Sequence, residues 1–259
     1  MPFMRLLGAS CVSLLIVLTC RVATAAPGPD EIIRRSLERM VFRSQGAEMT
    51  MTMTLRNKQG ETRDRKLFAR TSKKEGLTRT LVRFLSPSDV AGTAFLFVEN
   101  KGREDDQHMY LPALKVVKRI VGKQKQSRFM GSDLSYADLE WKDLEDASYV
   151  ARPDEKVGGA PCHVIDAVPR KKESYDHTRS WIRKKDLVPL RIHFFDRNKR
   201  LLKVLFVKEV KPVGGSLTVT KLKMTNKQSG HSTFISIGQI KRRDDLPVDA
   251  FTVRALKQR

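Results

Sequence analysis

Residues 48–56 read Glu-Met-Thr-Met-Thr-Met-Thr-Leu-Arg, so Met49, Met51, Met53 and Leu55 alternate with polar neighbours. A period of two sustained over about nine residues belongs to a pleated strand, one face apolar and the other wetted. Such a strand needs partners, and the turn chemistry supplies them. Asn57-Lys58-Gln59-Gly60 leads into a second strand over 62–71, and Lys73-Lys74-Glu75-Gly76 into a third over 78–85. The same grammar returns later, with 190–196 and 201–207 flanking one turn and 216–225 and 232–237 flanking another. Consecutive strands with short connections predict a mainly β fold, a single antiparallel sheet of about ten strands.

Two segments break this rhythm. After Pro27-Gly28-Pro29, Asp30 is placed to cap a helix whose Ile32, Ile33, Leu37, Met40 and Val41 share one face. From Ile120 to Leu144 the chain is polar and punctuated by glycine, with Tyr136, Leu139 and Trp141 as large apolar residues. Loops and short helices are expected there, covering with the N-terminal helix the concave face of a curved sheet.

Arg5, the apolar run Leu6–Cys20 and Ala23-Thr24-Ala25 have the order of a secretory leader cleaved after Ala25, leaving 26–259 as one domain. An apolar run of about 15 residues is short for a bilayer span, which needs roughly 20. Cys20 follows Thr19 rather than a small residue, so no lipidation is expected. Cys162 then remains as a lone cysteine, without a disulfide partner. The chain has 50 Lys and Arg against 29 Asp and Glu, a net charge of +21. In an exported protein that basicity points to an anionic membrane surface or an acidic protein, and no nucleic-acid-binding motif accompanies it.

Catalytic and metal motifs are missing. The five histidines are scattered, and no H-E-x-x-H, G-x-S-x-G, C-x-x-C or phosphate-cradling loop occurs. Cys162 and His163 are neighbours in a strand and point to opposite faces. Asp106 and His108 share a face but make only two ligands, too few for a metal site. Neither an enzyme nor a cofactor is expected. The methionine stripe suits either a close-packed core or a surface that repacks around ligands of variable shape.

Three stretches carry a resemblance when taken together: Arg83-Phe84-Leu85-Ser86-Pro87-Ser88-Asp89-Val90-Ala91-Gly92-Thr93-Ala94-Phe95-Leu96, Met109-Tyr110-Leu111-Pro112 with Lys118-Arg119-Ile120, and Phe129-Met130-Gly131-Ser132-Asp133-Leu134-Ser135-Tyr136-Ala137-Asp138-Leu139. In order and spacing they resemble the LolA-like outer-membrane lipoprotein-sorting family of exported bacterial proteins. The resemblance implies an unclosed half-barrel with a helical lid over its concave face, and a cavity that carries lipoprotein acyl chains or another lipid across the periplasm. It also implies an inner-membrane exporter and an outer-membrane acceptor; a lipid-sensing adaptor for a membrane exporter or signalling protein is the alternative. On this basis Met49, Met51, Met53, Leu55, Phe84, Phe95, Phe97 and Tyr110 are cavity candidates, and Phe129, Leu134, Tyr136 and Trp141 lid candidates.

Overall fold

The computed structural model describes residues 27–40, 46–140, 147–170 and 174–258. The expected leader, Val41 and the lid candidate Trp141 lie outside them. Thirteen strands form one antiparallel sheet, more than the ten expected. In chain order they are β1 (Gly46–Arg56), β2 (Thr62–Lys74), β3 (Leu77–Ser86), β4 (Ala94–Val98), β5 (Asp106–Leu111), β6 (Val116–Arg119) and β7 (Ala147–Val157). There follow β8 (Ala160–Pro169), β9 (His177–Arg183), β10 (Pro189–Phe195), β11 (Leu201–Val213), β12 (Ser216–Asn226) and β13 (Ser232–Arg242). The strands missed from sequence include β7, almost wholly exposed, and β6, only four residues long. Neither carries an apolar stripe to signal it.

The strand order is β6-β5-β4-β3-β2-β1-β13-β12-β11-β10-β9-β8-β7. The edges β6 and β7 do not pair, so the sheet stays unclosed, yet they are consecutive in the chain. Residues 120–146 therefore have to travel from one edge of the sheet to the other. Their described part crosses the concave face as a strap of 3-10 turns at Gly122–Gln126, Phe129–Gly131 and Ala137–Leu139. Met130 and Gly131 both have positive φ, 49° and 74°, and only the glycine takes that conformation without strain.

The main core lies between strap and sheet. The methionine stripe is buried there, with Met49 at 1% exposure and Met53 at 2%, beside Leu67, Phe84, Phe95, Leu205 and Met224. Among the described residues two α-helices pack on the sheet, one on each face. The first, α1 (Pro29–Leu37), begins one residue before the expected cap, with Gly28 as N-cap and Asp30 in the first turn. Proline suits that opening position because its missing N–H would have no helical partner anyway. Ile32, Ile33 and Leu37 pack on Ile165, Ile182 and Leu187 at the β7–β9 end of the concave face. The second, α2 (Val253–Lys257), covers the opposite face, where Leu256 and Ala255 meet Leu81, Ala94 and Leu96.

Candidate functional site

The strap divides the concavity into two clefts that share Leu134 and Leu139 as a wall. The first lies against β1–β5, with Met51, Met53, Leu67, Val82, Phe97 and Phe129 around about 760 Å³ of empty space, its open mouth included. The second lies beneath α1 and against β8–β12, with Ile33, Leu37, Ile192, Leu205, Leu222 and Met224 around about 1230 Å³. Both are mainly apolar, the usual lining of a site for an apolar ligand.

Aromatic packing seats one end of the strap. Phe129 meets Phe95 edge-on at 4.8 Å between centroids and Tyr136 at 5.6 Å, and lies 6.0 Å from Phe84. Such pairs add about 0.5–1.5 kcal/mol each beyond their area burial. Arg65 donates to the Met130 carbonyl and stands over the Phe84 ring.

Polar groups hold the middle of the strap. The fully buried Asp133 carboxylate accepts from Thr233 Oγ1 at 2.7 Å, lies 2.7 Å from His231 Nδ1 and pairs with Arg128 at 3.3 Å. Asp138 accepts from the Tyr175 hydroxyl at 2.7 Å and from the Ser135 N–H at 2.6 Å, and forms an ion pair with Lys203. Lys203 is 3% exposed; its ammonium also donates to the Asp133 carbonyl at 3.2 Å and sits over the rings of Tyr175 and Phe194. Further along, Glu140 pairs with Lys125 at 2.9 Å. Burial pushes the Glu140 carboxyl above the usual carboxylate range, with Lys125 working against it.

The two clefts offer an apolar surface, and Cys162 and the five histidines lie apart from it. Cys162 is buried on the opposite face beside Val164 and Trp181, and burial pushes its thiol up, which disfavours the reactive thiolate. Among the described residues no group of three His, Cys, Asp or Glu side chains is placed to hold a metal ion.

The crystal structure of an outer-membrane lipoprotein-sorting protein domain from Vibrio parahaemolyticus matches this architecture with a TM-score of 0.82. It is 32% identical over 89% of this chain and 98% of that one. The chain belongs to the LolA-like lipoprotein-sorting family. A DUF1329 family protein from Desulfovibrio piger gives a TM-score of 0.81 at 28% identity, over 88% of this chain and 97% of that one. A LolA superfamily protein from Nitrosomonas europaea shares the fold, with a TM-score of 0.72 at 17% identity over 89% and 100% of the two chains. A family model described only as an uncharacterized-protein-like family matches residues 76–258. No curated protein matches the sequence.

In this LolA-like chain Met51, Met53, Phe97, Phe129 and Leu134 line the first cleft. Met49, Leu55, Phe84 and Phe95 lie in the core cluster around it, and Tyr136 packs against that cluster. Tyr110 is a correction: it packs on the opposite face, beside Leu96 and the α2 cluster. Its neighbour Met109 takes the concave position, because successive residues of a strand alternate between faces. The polar anchors Asp133, Asp138 and Lys203 escaped the sequence reading. Residues 201–207 are apolar at both parities, so nothing in them marks Lys203 as inward-facing.

Proposed function

We propose that this LolA-like chain is a periplasmic carrier, taking the acyl chains of a lipoprotein or another lipid beneath the strap and releasing them toward the outer membrane. What carries this reading is the pair of apolar clefts separated only by a strap, which an aromatic cluster seats at one end and buried polar pairs hold in the middle. Burying an acyl chain contributes about 0.8 kcal/mol per CH₂, so roughly 14–16 carbons give on the order of 10 kcal/mol before ordering costs. Opening the strap merges the clefts into one groove and exposes the methionines, whose flexible side chains repack around tails of different shape. Direction comes from partners, an exporter at the inner membrane and an acceptor at the outer one.

Native mass spectrometry of the protein purified from periplasm tests this directly. A bound lipid or lipoprotein mass is expected, and the purified complex should pass labelled lipid between two vesicle populations. Protein that carries no lipid and moves none between vesicles refutes the carrier. Binding without transfer identifies a lipid-sensing adaptor instead.

A further inference from the structure

The first cleft changes character along its length. Strand register sets its concave wall in cross-strand rows: Leu67 beside Phe84, then Ala69, Val82, Phe95 and Met109, then Thr71, Thr80, Phe97 and Gln107. Beyond them, at the mouth, the Thr78 N–H donates to the Glu99 carboxylate at 2.7 Å. The wall thus grades from wholly apolar to polar within four rows.

Two buried atoms at the polar end lack hydrogen-bond partners among the described residues, Gln107 Oε1 and Thr78 Oγ1. Both residues line the cleft, at 1% and 6% exposure. The Gln107 amide cannot simply be turned over, because its Nε2 donates to the Tyr136 carbonyl at 3.1 Å and a reversed amide would set two oxygens against each other. Oε1 is therefore a buried acceptor with no donor, on a side chain that lines the cleft. A buried polar group left in that condition is destabilising, and the penalty is removed when a ligand supplies the missing bond.

The lining at this end carries acids and, among the described residues, no cation. Glu99, Asp105, Asp106 and Glu140 line the cleft, with Asp106 already paired to Arg103 and Arg119 and Glu140 to Lys125. An anionic head finds no cation in that lining, whereas an N–H donor satisfies Gln107.

We infer that the polar end of the first cleft receives the head of an amphiphile that donates hydrogen bonds through an amine or amide N–H and bears no negative charge, its tail running toward Met51 and Met53. This rests on the carrier reading and adds the class of head group to it.

The test is calorimetric titration with four probes that share a sixteen-carbon tail, each below its micellar concentration: hexadecylamine, N-methylhexadecanamide, palmitate and hexadecyltrimethylammonium. The amine or the amide should bind at least about tenfold tighter than the last two, 1.4 kcal/mol per tenfold in affinity. Tight binding of the amide alone identifies an acylated nitrogen as the natural head, and of the amine alone an ammonium. Thr78→Val and Gln107→Met should each reduce the preference several-fold while leaving palmitate affinity within about twofold. Thr78→Val removes only a hydroxyl, so it decides the matter if loss of the Tyr136 contact unfolds the other variant. Equal affinity for all four probes overturns the head-group inference and leaves the carrier standing. A preference that survives both substitutions overturns the assignment to these residues, and failure of all four to bind overturns the carrier reading as well.

Discussion

Lys203→Met should open the strap without unfolding the sheet. The substitution removes the ammonium that pairs with Asp138 and donates to the Asp133 carbonyl, and leaves the Asp138 carboxylate 95% buried with only the Tyr175 hydroxyl and the Ser135 N–H as donors. Breaking a buried ion pair from one side costs about 3–5 kcal/mol, because the remaining charge is uncompensated. That cost falls on the closed strap, since the open strap returns Asp138 to water. At 1.4 kcal/mol per decade it raises the open population by roughly two to three and a half orders of magnitude. Hydrogen exchange followed by mass spectrometry reads this as faster exchange across 121–140, with β1 and β13 retaining their protection. Lys203→Met combined with Asp138→Asn should recover most of the loss: the asparagine oxygen accepts from Ser135, its amide donates to Tyr175, and a thioether between the two rings is well tolerated. Wild-type exchange in the single variant, or a double variant as open as the single one, refutes the assignment of the Lys203–Asp138 pair as the latch.

Met51→Gln should leave the empty protein folded while weakening binding of a fluorescent fatty acid, because a cleft-lining amide is hydrated when no tail is present. If the position is instead dry core, thermal unfolding will show a loss of about 2–5 kcal/mol. His193 lies 4.5 Å from Trp181 between ring centroids; burial first, then Arg191, Arg179 and Lys227, lowers its imidazole from 6.5 to about 4. The unfolded chain therefore binds this proton between pH 6.5 and 4 while the folded one does not, so stability is full above 6.5 and falls as pH drops through the window. His193→Gln should flatten that part of a Tm-against-pH curve, and an unchanged slope refutes the assignment. Co-sedimentation with anionic vesicles should weaken steeply once salt brings the Debye length below about 8 Å, whereas equal binding to neutral vesicles would rule out an electrostatic contact.

The fold was legible wherever a strand has one wet face. Thr50, Thr52 and Thr54 between the methionines, and the Asn-Lys-Gln-Gly turn after them, determine β1 and its hairpin almost without ambiguity. The site was legible only in its apolar half. Gln107 reads from sequence as a solvent-side residue, since a polar side chain in a strand ordinarily faces water, and only the register beside Phe97 and Thr80 turns it inward. Tyr110 failed for the converse reason: the resemblance made it a cavity candidate, but alternation had already given that face to Met109. Asp133 and Asp138 read as ordinary loop polarity, because Lys203, His231 and Thr233, which meet them, lie 65 to 100 residues away in the chain.

The pairing of β1 with β13 also sets an order of events during folding. Every other neighbouring pair in the sheet joins strands consecutive in the chain, but Met53 lies opposite Ile235, about 180 residues away. Closing a loop of that length costs roughly 4–5 kcal/mol of chain entropy before the seam is rewarded, so the two meanders are expected to form first and the central seam last. In the exported carrier proposed above, a chain emerging from a translocon with its amino terminus leading thus completes β1 to β6 while β13 is still behind the membrane. For that interval the methionine strand presents an open hydrogen-bonding edge with an apolar face beside it, the surface on which neighbouring chains aggregate.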